Sequence, residues 1–114
     1  MGEIITSIKS ITEEIRIRIL LLLIDREACV CELMSVFDMA QSKLSHHLIT
    51  LRDAGFLQDK KRGKWNYYIV NTKSLSPVNR ELLGSLSRWH IDNKMIERDK
   101  QTLEKVKERM QICC

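Results

Sequence analysis

Isoleucines at positions 4, 5, 8 and 11 repeat at the three-to-four-residue spacing of one helical face, which predicts a short helix over about residues 3–11. Thr12 followed by Glu13 and Glu14 reads as a new helix start, a capping residue with acidic side chains in the first turn. The helix it opens, about 13–25, turns Ile15, Ile19, Leu22 and Leu23 inward, and its second half is apolar nearly all round, as in a buried central helix. A third, shorter helix over about 29–37 packs through Val30, Leu33, Val36 and Phe37, and Asp38-Met39-Ala40 forms a tight connector. The fourth, about 41–54, sets Leu44, His47, Leu48 and Leu51 on one face and Gln41, Ser42, Ser45, His46 and Arg52 on others. Gly55 supplies its C-terminal stop.

Beyond Gly55 the period changes. Phe56 to Lys60 and Trp65 to Val70 are rich in aromatic and β-branched residues, and Lys61-Arg62-Gly63-Lys64 between them predicts a β-hairpin with a basic tip. Ser76-Pro77 then opens a long final helix, about 77–112, in which Leu82, Trp89, Ile96, Leu103 and Met110 recur every seven residues, with Gly84 and the Asn93-Lys94 region as places where it can bend. Two short helices joined by a three-residue turn and followed by a hairpin give the order of a winged helix-turn-helix. The predicted fold is mainly α, one domain over 1–114, with a two-stranded β-wing and a C-terminal dimerisation helix. The segment 29–70 is the DNA-reading unit, and the helices at 3–11 and 77–112 are the expected homodimer interface.

Size and charge sharpen this picture. At 114 residues the chain holds one hydrophobic core and not two. The longest apolar run, Ile19 to Ile24, falls far short of the ~20 residues that span a bilayer, so no membrane association is expected. With no secretory signal pattern at the start, the cytoplasm is the expected compartment. The matches of Met1-Gly2 with Thr6 to a myristoylation pattern, and of the terminal Cys-Cys to a prenylation site, are short and stand alone. Between Gln41 and Trp65 six Lys and Arg residues face two Asp residues, so the whole formal excess of +4 falls on the fourth helix and the hairpin. A basic stretch coincident with a helix-turn-helix is the electrostatic footprint of a phosphate-binding surface. Gln41, Ser42, Ser45 and His46 suit base edges and phosphates in a major groove, Lys43 suits phosphate, and Lys60, Lys61, Arg62 and Lys64 suit the DNA backbone or a minor groove. His47, beside Leu44 and Leu51, is expected to pack inward. A dimer presents two such units to a pseudo-palindromic double-stranded operator.

Four segments carry a family resemblance. KSITEEIRIRILLLL, ACVCELMSVF, QSKLSHHLITLRDAGFL and RGKWNYYIV, in that order, resemble the opening, the Cys-Val-Cys sensing helix, the recognition helix and the wing of the arsenic-repressor/metallothionein-repressor (ArsR/SmtB) family. That resemblance implies a dimeric repressor that holds its operator when metal-free and lets go when a toxic metal or metalloid binds. It places DNA contacts at Gln41, Ser42, Ser45 and His46. It also marks Cys29 and Cys31 as the start of an arsenite/antimonite or a cadmium/lead site. The sequence departs from the family pattern at Ala40, often a capping Ser, and at Met34, which stands where the commonest arsenic pattern has a third cysteine.

Arsenite is thiophilic and takes three thiolates, of which Cys29 and Cys31 supply two. Met34 cannot form an anion, which makes Cys113 and Cys114 the source of the third donor or else a separate site. With both cysteines inside a helix, their side chains two apart point about 200° from one another, so ligand binding is expected to distort the helix start. As(III) or Sb(III) is the expected inducer, with no catalytic cofactor. Tetrathiolate binding of cadmium or lead by Cys29, Cys31, Cys113 and Cys114 is the alternative, and thiol redox sensing is another. A zinc site on the final helix is disfavoured because His90, beside Asp92 and Glu97, is its only imidazole. No Cys-x-x-Cys adjoins a βαβ pattern, so an enzyme is not expected.

Overall fold

The computed structural model describes residues 1–89 and 93–110. The order is α1 (Gly2–Ser10), α2 (Glu14–Leu23), β1 (Ala28–Cys29), α3 (Val30–Phe37), α4 (Gln41–Asp53), β2 (Leu57–Arg62), β3 (Trp65–Val70), α5 (Pro77–Trp89) and α6 (Asn93–Met110). This is the winged helix-turn-helix that the hydrophobic spacing predicts, mainly α with one small antiparallel sheet. His90, Asp92, Cys113 and Cys114 lie outside the described residues.

The core forms around α2. Ile19, Leu20, Leu22 and Leu23 are fully buried, and Leu33, Leu44, Leu48, Leu51 and Phe56 close on them from α3, α4 and the segment after α4. Each such side chain contributes about 1.5–3 kcal/mol by leaving water, which is why an all-round apolar half-helix sits at the centre. α3 ends at Asp38, whose left-handed conformation (φ 49°, ψ 57°) turns the chain toward α4. Ala40 caps α4 with no side-chain hydrogen bond, so a Ser there would add a capping oxygen that this chain lacks.

Three features differ from the sequence expectation. First, the hairpin turn is tighter: β2 runs on to Arg62, which pairs with Trp65, leaving Gly63 (φ 63°) and Lys64 as a two-residue turn. Second, Ala28 and Cys29 form a third strand against Tyr68 and Tyr67, giving the order β1-β3-β2. Cys29 is thus extended (φ −88°, ψ 166°) and caps α3 from outside rather than lying within it. Third, the apolar heptad stripe is divided. α5 runs unbroken through Gly84, and α6 lies against the chain's own α3 and α2. Leu103 joins the main core, Ile96 and Val106 are buried, and Trp89 at the end of α5 is 68% exposed.

Ion pairs fasten α6. Arg18 donates to both carboxylate oxygens of Asp99 at 3.0 and 2.8 Å, and lies over the Phe37 ring at 5.2 Å. Its hydrogen bond to Asp99 raises its pKa. Arg26 pairs with Glu104, and Lys107 reaches Glu32 at 3.0 Å.

Candidate nucleic-acid interface and thiol site

The apolar face of α4 anchors it through Leu44, Leu48 and Leu51, so its other face is presented outward. Gln41, Ser42, Lys43 and His46 are exposed and Ser45 is half-buried, so all five sit on or beside the free face. His47 is turned in, 4% exposed, as its spacing beside Leu44 and Leu51 predicts. Its Nδ1 accepts a 3.0 Å hydrogen bond from Nε of buried Arg16, which also pairs with Glu13 at 2.8 Å. A ring that accepts at Nδ1 is neutral and carries its proton on Nε2. Burial, then the nearby Arg16 charge, lowers the His47 pKa. This link fixes the roll of α4 on α2, and its only local sign is an arginine set in an apolar helix.

The wing carries Lys60, Lys61, Arg62 and Lys64, all exposed. They are not equivalent. Arg62 is drawn back by an ion pair with Glu27 and lies over the Tyr67 ring at 5.0 Å, whereas Lys64 lies over Trp65 at 5.1 Å. Among the described residues Lys60 and Lys61 form no ion pair, so the wing presents them as its most available charges.

The second cluster lies where β1 passes into α3. Cys29 is 1% exposed and Cys31 half-buried, and both are disulfide-bonded. Since Cys29 is extended and not helical, the 200° divergence expected of two helical cysteines does not apply, and no unwinding of α3 is required to bring the two sulfurs together. A capping box closes the helix start, with the Cys29 sulfur facing the Glu32 amide and the Glu32 carboxylate accepting from the Cys29 N–H at 3.0 Å. Among the described residues no three His, Cys, Asp or Glu side chains gather as a metal-binding group. An open cleft of about 510 Å³, lined by Asp25, Arg26, Glu27 and Lys107, lies near this corner. Cys29 also pairs with Tyr67 in the sheet, so one residue touches both the wing and the first helix of the helix-turn-helix.

A recognition helix locked onto a buried scaffold, with a basic hairpin beside it, defines a winged helix-turn-helix transcriptional regulator. The model described as "Bacterial regulatory protein, arsR family" matches residues 13–59. The chain is 42% identical over 89 residues to the "Arsenic resistance transcriptional regulator ArsR2" of Pseudomonas putida, covering 75% of this chain and 77% of that protein. It belongs to the arsR family. It is also 32% identical over 77 residues to the cadmium resistance transcriptional regulatory protein CadC of Listeria innocua, covering 67% of this chain and 63% of that one. Among solved structures, HlyU from Vibrio cholerae superimposes with a TM-score of 0.67 at 28% identity, over 80% of this chain and 95% of that one. Among the described residues no helix is long and apolar enough to cross a membrane.

Proposed function

We propose that the chain is an arsenite- or antimonite-responsive transcriptional repressor, which binds a pseudo-palindromic operator as a metalloid-free homodimer and releases it when thiolates coordinate the metalloid. The observation that carries this reading is the position of Cys29 and Cys31, at the junction of β1 and α3, on the two elements that support the wing and the recognition helix. The similarity to an arsenic-resistance regulator supplies the ligand class. Gln41, Ser42, Ser45 and His46 read the major groove, Lys43 meets phosphate, and Lys60, Lys61, Arg62 and Lys64 follow the backbone or enter a minor groove. For the homodimer, Ile4, Ile5 and Ile8 on α1 and Trp89 on α5 offer exposed apolar surface.

Coordination requires reduced cysteines, because As(III) binds thiolate and not disulfide sulfur. Cys29 and Cys31 supply two donors, and Cys113 or Cys114 completes the pyramid. The test is an anaerobic titration of reduced protein with arsenite, counting protected thiols in the full chain and in one ending before Cys113. Protection of three thiols per subunit in the full chain, with tight binding lost on truncation, is the expected result. Protection of Cys29 and Cys31 alone in both chains rejects the composite site.

The likeness to CadC favours a second reading, a cadmium- or lead-responsive repressor using all four cysteines. Tighter protection by cadmium than by arsenite in the same titration selects it. The disulfide-bonded state of Cys29 and Cys31 favours redox sensing. Operator release by peroxide with no response to either metal selects that alternative.

A further inference from the structure

Glu32 does more at the start of α3 than a cap requires. It is 7% exposed, and one carboxylate oxygen accepts both the Cys29 N–H and Lys107 Nζ, each at 3.0 Å. Lys107 lies 75 residues away on α6. Two other α6 ion pairs among the described residues, Arg18 with Asp99 and Arg26 with Glu104, fasten the same helix without touching the first turn of α3. A carboxylate this buried is costly unless a cation matches it, and Lys107 provides the match.

Together with the β1 pairing of Cys29 to Tyr67, the pair supports the extended conformation of Cys29. Capped by Glu32, Cys29 is extended, and its side chain is not committed to the helical screw that carries Cys31. Without that acceptor only the two-residue β1 pairing keeps Cys29 from joining α3 as one further helical residue. The two cysteines would then point about 200° apart and could not close on one small atom. We propose that Glu32 and Lys107 are positioning residues of the thiol site, which keep Cys29 out of the helix and make α6 part of the ligand-binding structure. This rests on the reading that Cys29 and Cys31 bind a soft ion, and it adds a buried ion pair from a distant helix that orients one of the two thiols.

Removing a side chain that orients a metal ligand typically weakens metal affinity by about 10- to 100-fold. The experiment measures arsenite affinity of the reduced full-length chain by competition with a small dithiol, below the unfolding midpoint of every variant. Glu32→Ala is expected to lose about 10- to 100-fold, and Lys107→Met to lose at least the lower end of that range. Glu32→Gln keeps the acceptor and Lys107→Arg keeps the cation, so both stay close to wild type. Asp99→Asn, which weakens the comparably buried α6 ion pair with Arg18, leaves affinity unchanged. A purely structural role would make Asp99→Asn and Lys107→Met behave alike. Wild-type affinity in Glu32→Ala, or an equal loss in Asp99→Asn, overturns the proposal while leaving thiol coordination intact. No arsenite binding by the wild type overturns the parent reading and this one with it.

Discussion

Truncating Asp99 to alanine tests whether α6 is an integral part of the domain. The Asp99 side chain is 7% exposed and accepts two hydrogen bonds from Arg18, whose own side chain is 27% exposed. Removing one partner of a fully buried ion pair costs about 3–5 kcal/mol. Arg18 can regain water on its open side, and solvent screening lowers that figure to about 2 kcal/mol. With a urea slope of about 1.5 kcal/mol per molar, the midpoint falls by about 1.3 M. The assay is urea unfolding at fixed protein concentration, because the proposed dimer would make the midpoint depend on concentration. Asp53→Ala, which removes an Arg52 partner on the exposed surface, is the companion and should cost about 0.5 kcal/mol or less. In a double-mutant cycle, Arg18→Met with Asp99→Ala should cost less than the sum of the two singles. A loss of only about 0.5 kcal/mol for Asp99→Ala, no larger than that of an exposed pair, refutes the docking of α6 through this contact.

Other outcomes follow from single contacts. His47 has its pKa lowered in the fold, so the unfolded chain binds the extra proton first. The stability due to neutral His47 is therefore full above the ordinary value near 6.5 and is lost as pH falls below it. Wild type should lose more urea resistance between pH 7.5 and 5.5 than His47→Gln, and equal losses would contradict the neutral Arg16-bonded ring. Gly55 has φ +88°, and a Cβ there would stand 3.1 Å from Nδ2 of Asn79, which donates to the Ala54 carbonyl. Gly55→Ala should cost about 1 kcal/mol or more by thermal unfolding, and an unchanged midpoint would reject that geometry. Replacing Lys60 and Lys61 together by Ala should reduce the salt slope of operator binding by about 2 if each meets a phosphate, whereas an unchanged slope would place the wing away from DNA.

The parts of the fold that a local pattern encodes were legible. Helical spacing marked α1 to α4, the change to β-branched and aromatic residues marked β2 and β3, and the spacing of Leu44, Leu48 and Leu51 assigned the opposite face of α4 to the outside. β1 was not legible, since two residues carry no period and Ala28-Cys29 becomes a strand only because Tyr67 and Tyr68 stand opposite. That short strand moved Cys29 out of the helix and removed the expected need for unwinding. The heptad stripe on the final segment was real, but spacing reports that a face is apolar and not what covers it. For Leu103 the cover is the chain's own core. Arg16 with His47 and Glu32 with Lys107 are separated by 31 and 75 residues, and nothing local couples such pairs. The exposed side chains on α4 and the wing were readable because surface polarity on a helix-turn-helix needs no partner within the chain.

The most direct test is operator affinity itself. A fluorescent duplex from the region preceding this protein's gene is titrated with reduced protein, by anisotropy under anaerobic conditions, with and without stoichiometric arsenite. A ligand that binds the DNA-incompetent state more tightly by about 1–3 kcal/mol weakens operator binding roughly 5- to 150-fold, and Cys29→Ser or Cys31→Ser should abolish that response while the metalloid-free affinity stays. Unchanged operator affinity in a sample whose Cys29 and Cys31 are shown to be protected would contradict thiol-triggered release.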